Sequence, residues 1–234
     1  MTKKILVPSI EKRIGSLLEF SRRKEVEASS KCQAGKKKPT ITLSREFGCE
    51  AYPVAELLQE LLETRTAETW LVMDKELLNE VAHNHGLSDD VLQRLGEKPS
   101  FMDEMIATFS PHWKSEKDYF QLLCRHIVTL ANEGNVILVG RGSAFITQSM
   151  KNCKHFRLYA SDEFKIKSIG RRMGFSPAEA ARLIEQRQHQ RDLAIRAFLD
   201  RDARDLSVYN LVFNNDRNSA EKIARTIVEY VMEP

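Results

Sequence analysis

The sequence predicts an α/β protein: a five-stranded parallel sheet with helices on both faces, preceded by an N-terminal helix. Three observations predict it. Five short apolar runs alternate with segments of helical periodicity, which argues for parallel strands covered on both faces. The first run, Thr40-Ile41-Thr42-Leu43, passes through a tight polar stretch into a Pro-led amphipathic pattern, giving strand, loop and helix in order. With 42 % hydrophobic and 29 % charged residues, the 234-residue chain can build a sizeable core and is not wholly disordered.

In chain order, residues 9–29 read as a helix capped by Ser9, with Ile10, Ile14, Leu17 and Leu18 on one stripe. The opposite face holds Lys12, Arg13, Arg22, Arg23 and Lys24. Such a stripe docks on the body or on a second copy of the chain; the basic face could instead meet anionic lipid or nucleic acid. Residues 30–39 form a linker ending in Lys36-Lys37-Lys38-Pro39. Residues 1–39 carry a net charge of +7 and the remainder −4, so the basic character belongs to the arm. Runs of this kind are common in solvated extensions, so nucleic acid is not an expected partner.

After the strand at 40–43, the loop 44–52 has Gly48 near its middle. Pro53 is placed at the first helical position, followed by Val54, Ala55, Leu57, Leu58, Leu61 and Leu62 on one side. A strand, tight loop and helix aim backbone N–H groups and a positive helix end into one space, which suits phosphate. A full phosphate loop would add Lys and Ser or Thr after its second Gly. This loop continues Cys49-Glu50-Ala51-Tyr52, so an ordinary strand-to-helix turn is the competing reading.

A second strand is expected over 69–73, ending at Asp74, with helices over 75–84 and 88–95. Residues 96–115 are irregular, and 116–133 form a long helix. The clearest buried strand, Asn135-Val136-Ile137-Leu138-Val139, runs straight into Gly140-Arg141-Gly142. A strand at 156–160, a helix at 162–173, a charge-rich helix from Ser176-Pro177 to about Asp200, a strand at 209–213 and a helix at 219–232 complete the chain. Residues 1–39 therefore form a helical extension and linker, and 40–234 one α/β domain with a helical arm at about 162–200.

Four cysteines, Cys32, Cys49, Cys124 and Cys153, lie far apart without a C-x-x-C pair. Neither a zinc site nor a disulfide framework is expected, which fits a reducing cytoplasm. No run approaches the ~20 apolar residues of a membrane helix, and no signal-peptide core is expected at the N-terminus.

Parallel sheets bind ligands beyond the C-terminal ends of their strands. That rule selects 45–52, Asp74, 140–142, 161–162 and 214–216. Arg141, set between two glycines after an apolar strand, offers a planar fork suited to phosphate; a turn Arg paired with a carboxylate is the alternative. Arg187 and Arg191, four apart, share a helix face. That helix is a solvated arm or a lid carrying positive charge to phosphates.

The order SREFG at 44–48, DKELL at 74–78, VGRG at 139–142, a helical arm with Arg191, and YNLVFN at 209–214 resembles the cytidylate kinase-like family. These are relatives of cytidylate kinase among the P-loop nucleoside monophosphate kinases, and the resemblance covers about residues 40–232. It implies a lid and two nucleotide sites. Arg45, Gly48, Cys49, Glu50 and Ala51 would form the donor phosphate loop, with Asp74 and Arg141 beside the acceptor monophosphate. Arg141, Arg187 and Arg191 would be the catalytic cations, and Asn214, Asn215 and Asp216 would lie near the donor base. ATP and Mg²⁺ would be the cofactors of an active enzyme and a CMP-like monophosphate its acceptor; no protein metal ligand is assigned.

The chain departs from the family's SREFGSGGREIA loop. Cys49, Glu50 and Ala51 stand where that pattern has Ser, Gly and Gly, Ser168 where Arg is usual, and Gln188 where Asp is usual. Glu50 is expected to bring a carboxylate toward phosphate, weakening its binding. Three functions stay open: an ATP-dependent nucleoside monophosphate kinase, a non-catalytic kinase-like binding or regulatory protein, and a binder of anionic polymers or membrane surfaces through the arm.

Overall fold

The computed structural model describes residues 15–16, 19–20, 22–23, 38–74, 77 and 116–233. Ile10, Ile14, Leu17, Leu18, Cys32, the expected helix at 88–95 and all of the expected helix at 75–84 except Leu77 lie outside the described residues.

The elements in order are β1 (Thr40–Arg45), α1 (Ala51–Thr66), β2 (Leu71–Met73), α2 (Glu116–Glu133), β3 (Val136–Val139), α3 (Ser143–Ile146), β4 (Cys153–Tyr159), α4 (Asp162–Met173), α5 (Pro177–Leu199), β5 (Leu211–Asn214) and α6 (Ala220–Met232). The strands form one sheet in the order β2-β3-β1-β4-β5, every pairing parallel. Apolar side chains leave both faces of the sheet. Ile41 and Leu43 enter a core with Val54, Ala55, Leu58 and Leu62 of α1 and Ile223, Ile227 and Val228 of α6. A second core joins Met73, Leu138 and Val136 to Leu123, Ile127 and Leu130 of α2. Each large aliphatic side chain buried in this way stabilises the fold by about 1.5–3 kcal/mol.

The first strand runs on to Arg45 and the fourth starts early, at Cys153; three other boundaries differ from the sequence expectation for an identifiable local reason. Trp70 is held by α1 rather than by the ladder: its N–H donates to Glu63 Oε1 and its carbonyl accepts from Gln59. The second strand therefore starts at Leu71. Tyr209 N–H closes a turn onto the Leu206 carbonyl, delaying β5 to Leu211. The first helix opens at Ala51 with Glu50 as N-cap, so Pro53 is its third residue rather than its first. Its missing N–H still falls in the first turn, where it has no intrahelical acceptor.

Three described residues of the N-terminal arm, Ser16, Phe20 and Arg23, meet the chain's own body at the β2 side of the sheet. Ser16 is buried and its Oγ accepts the N–H of Val72 in β2, while Phe20 packs into the second core. Arg23 donates to the carbonyls of Thr69 and Gly134. An edge strand presents unpaired backbone groups, and these contacts cover part of it.

Inside the sheet, Thr42 Oγ1 and His155 Nδ1 share a 2.8 Å hydrogen bond. Burial, with a smaller contribution from Lys154, pushes the imidazole down to about 4. The unfolded chain takes up that proton near 6.5, so between about 6.5 and 4 it binds more protons than the native state. Stability is full above that window and falls with pH through it, by up to about 3 kcal/mol. Denaturant midpoints between pH 7 and 4.5 should show this slope in the wild type and a shallower one in His155→Gln; identical slopes would contradict the assignment.

Candidate phosphate site at the sheet rim

Because all strands are parallel, residues 45–52, Asp74, 140–142 and 214–216 emerge at one rim of the sheet. Leading out of β1, the Glu46 N–H donates to the Leu158 carbonyl and the Cys49 N–H to the Glu46 carbonyl, which closes a turn around Gly48. Among the described residues, the N–H groups of Gly48 and Ala51 have no acceptor, and both sit at the head of α1. The Phe47 N–H donates to Gln188 Oε1 at 2.9 Å and the Glu50 N–H to Asn215 Oδ1 at 2.8 Å. Two side chains of the chain itself thus cap two loop amides.

Glu50 does not face the loop's open side. Its backbone caps α1, and its carboxylate, 5 % exposed, lies 3.4 Å from both Arg171 and Arg172. Ser168 Oγ donates to the same oxygen. Burial lowers the Arg172 guanidinium, and Glu50 is the main influence acting against it. The carboxylate expected against phosphate is instead engaged on α4, which leaves the like-charge contact unmade. Sequence reasoning could not supply this direction, because Ser168 and Arg172 lie more than a hundred positions away.

The arm formed by α4 and α5 closes over the loop. Its own small core of Ile169, Ala180, Leu183 and Ile184 receives Phe47 from the loop. The Arg191 guanidinium stacks over the Phe47 ring, 4.9 Å from its centroid. Lys165 bridges Asp162 at 2.8 Å and Glu46 at 3.2 Å. Burial acts to lower Lys165, but those two carboxylates outweigh it and hold it above its ordinary value, hence charged. Arg187 lies on the same helix, within 3.4 Å of Gln190. Further along, Phe198 stacks on Phe120 of α2 with centroids 4.8 Å apart.

The turn after β3 is left-handed at three successive residues: Gly140 (φ 78°), Arg141 (φ 57°) and Gly142 (φ 69°). A Cβ on Gly140 would fall 1.8 Å from Arg45 Nη1, and one on Gly142 would fall 2.6 Å from Leu199 Cδ1. The glycines therefore let the Arg45 guanidinium cross one side of the turn and the end of α5 the other. Arg141 holds a conformation that costs a non-Gly residue about 1–2 kcal/mol. Arg45 also lies 5.9 Å from the Tyr52 ring centroid. The rim thus brings Arg45 to the 140–142 turn, Arg191 to the loop, and Asn215 to Glu50.

The sequence model of the cytidylate kinase-like family matches residues 40–217. The chain belongs to this family. Among solved structures, an uncharacterized protein from Eubacterium ventriosum superimposes with a TM-score of 0.60 at 20 % identity, covering 83 % of this chain and 98 % of that one. A shikimate kinase from Bacteroides thetaiotaomicron is similar at a TM-score of 0.45 and 13 % identity, over 83 % and 99 % of the two chains. A gluconokinase from Sinorhizobium meliloti gives 0.42 and 11 %, over 84 % and 93 %. No curated protein sequence matches.

The remaining family positions are engaged within the fold. Asp74 is fully buried, and its Oδ1 accepts the Leu77 N–H. Asp216 accepts the Ser161 N–H through both oxygens, and Asn214 Oδ1 accepts the Asp216 N–H. The Cys49 thiol is pushed up to about 12, first by burial and then by Glu46, against the pull of Lys165, Arg191 and Arg157. It is therefore a neutral packing group at physiological pH and not a nucleophile. Arg157 was not among the residues that the sequence singled out.

The Glu50–Arg172 pair generates a direct test. Glu50→Gln keeps the shape but leaves the buried Arg172 side chain, 3 % exposed, without its counter-charge. We expect a loss of about 3 kcal/mol in denaturant unfolding, most of it recovered when Arg172→Met is added. A Glu50→Gln protein as stable as the wild type would show that the pair does not hold the loop.

Proposed function

We propose that this member of the cytidylate kinase-like family binds nucleotides at the rim and transfers phosphoryl groups weakly. ATP is the proposed donor, with its phosphates on the 45–51 loop and its base near Asn214, Asn215 and Asp216. A CMP-like monophosphate is the proposed acceptor, beside Asp74 and Arg141. Helices α4 and α5 act as the lid that carries Arg187 and Arg191. Residues 40–234 are the proposed α/β unit and 1–39 the proposed extension, whose Ser16 and Arg23 meet the β2 edge. The observation that carries the reading is the pair of uncapped amides, Gly48 and Ala51, at the head of the 16-residue α1, beneath the cationic arm. Backbone donors at a helix N-terminus favour an anion.

Weak transfer follows from what the loop lacks. Cys49, Glu50 and Ala51 supply neither an ammonium for the outer phosphates nor a hydroxyl for Mg²⁺. Among the described residues, no group of three His, Cys, Asp or Glu side chains is arranged to hold a metal. These residues fit phosphate and do not fit a protein-held cation. Mg²⁺ arriving on ATP would supply neutralisation of the phosphate charge. The chain's own contribution is to position the two nucleotides and to exclude water beneath α5.

A non-catalytic, regulatory nucleotide binder is the second reading, favoured by the capping of the Phe47 and Glu50 amides by Gln188 and Asn215. In the third reading, a binder of anionic polymers through the arm, Arg23 is not available to the polymer, because it is engaged on Thr69 and Gly134. Among the described residues no helix is long and apolar enough to cross a membrane, and Cys49 and Cys153, buried and outside any disulfide, support a cytoplasmic setting.

Calorimetry with ATP–Mg²⁺ and with CMP, followed by a transfer assay, tests the proposal. We expect heat from both ligands, and turnover at least about 10²-fold below the roughly 1–100 s⁻¹ of ordinary kinases. Turnover inside that range would overturn the weak-transfer reading, and no heat from either nucleotide would overturn the binding reading.

A further inference from the structure

Strand β4 carries an arginine in the middle of its buried stretch. Arg157, 7 % exposed, is the register partner of Ser44 on β1. Its guanidinium lies 5.6 Å from the centroid of the Tyr209 ring and donates from Nη1 to Tyr209 Oη at 3.4 Å. Among the described residues no carboxylate lies within ion-pair distance of it. Contact with the ring offsets part of the cost of withdrawing this charge from water, and the guanidinium nitrogens that Tyr209 does not engage still reach solvent. The guanidinium keeps four further N–H donors beyond the one on Tyr209.

Arg157 stands level with the end of β1, where the loop begins, and its charge acts on Cys49 together with those of Lys165 and Arg191. These cations come from β4, α4 and α5, since the 46–51 segment contains none. They are not equivalent. Lys165 is neutralised by Asp162 and Glu46, and Arg191 covers Phe47. Arg157 alone of the three is buried in the sheet and has no acidic partner.

We propose that Arg157 binds a phosphate oxyanion at the 46–51 loop, supplying from the sheet the cation that the loop's own sequence omits. The inference rests on the reading of that loop as a phosphate site. The uncapped Gly48 and Ala51 amides would meet the same anion. The oxyanion belongs either to a donor polyphosphate or to an acceptor monophosphate, and the two ligands below separate these sources.

The test uses the full chain and two variants, Arg157→Met, which removes the charge at similar volume, and Arg157→Lys, which keeps it. Calorimetry with tripolyphosphate and, separately, with CMP is read beside thermal unfolding without ligand. We expect Arg157→Met to weaken tripolyphosphate binding roughly 10- to 100-fold, the loss of one charge-assisted contact. Arg157→Lys should lose less, and the melting temperature of Arg157→Met should stay level or rise. A comparable loss for CMP instead would support the anion site and assign it to the acceptor phosphate. Wild-type and Arg157→Met affinities that agree for both ligands, with a lower melting temperature, would make Arg157 a structural partner of Tyr209 and overturn this inference alone. A wild type that binds neither ligand would overturn it together with the nucleotide reading.

Discussion

The carboxylate of Glu50 and the guanidinium of Arg172 are both withdrawn from water, 5 % and 3 % exposed, and each makes the burial of the other tolerable. The pair joins the first residue before α1 to the last turn of α4, so the loop between β1 and α1 takes its shape from the arm as well as from the sheet. Phe47 makes the same connection through apolar contact, lodged in the arm's own small core, and Gln188 makes it through a hydrogen bond. Loop and arm are therefore one mechanical unit. Moving the arm would expose a buried ion pair, an aromatic ring and a backbone amide together.

This tie changes how the departures from the family loop are understood. Glu50, Ser168 and Gln188 are scattered in the sequence, yet all three lie at the joint between loop and arm. The negative charge introduced at position 50 is compensated inside the protein and is not presented to a ligand. The positive potential around the loop comes from other elements, α4, α5 and β4. Opposite them, the left-handed turn at 140–142 lets Arg45 and the end of α5 approach the backbone. The proposed combination of binding with slow transfer draws on this arrangement.

The sheet was legible because its strands are apolar runs whose role depends on local pattern. Residues 135–139 announced β3, and the breaks at Pro39 and Gly140 bounded their strands. The helix from Pro177 was legible from its cap, since Ser176 and Glu179 form a reciprocal capping box. Strand ends were less so: Trp70 and Tyr209 look like strand residues and are held by α1 and by a turn. The four-residue α3 carries no periodicity to read. Asp74 and Asn215 could be placed at the rim but not oriented, and each proves to hold a backbone N–H. Arg157 was hidden for the opposite reason, because a single charge within Phe156-Arg157-Leu158-Tyr159 reads as the exposed side of a strand. Its burial depends on Tyr209, 52 positions away.

The loop divides its amides, with Phe47 and Glu50 capped from within and Gly48 and Ala51 left without an acceptor among the described residues. Amide resonances of the full chain followed through a tripolyphosphate titration test this division residue by residue. Phe47 and Glu50 are expected to exchange slowly with solvent in the free protein, and Gly48 and Ala51 to exchange quickly and shift as ligand is added. Fast exchange at Phe47 and Glu50, or a titration that leaves Gly48 and Ala51 unmoved while other loop amides shift, would contradict it.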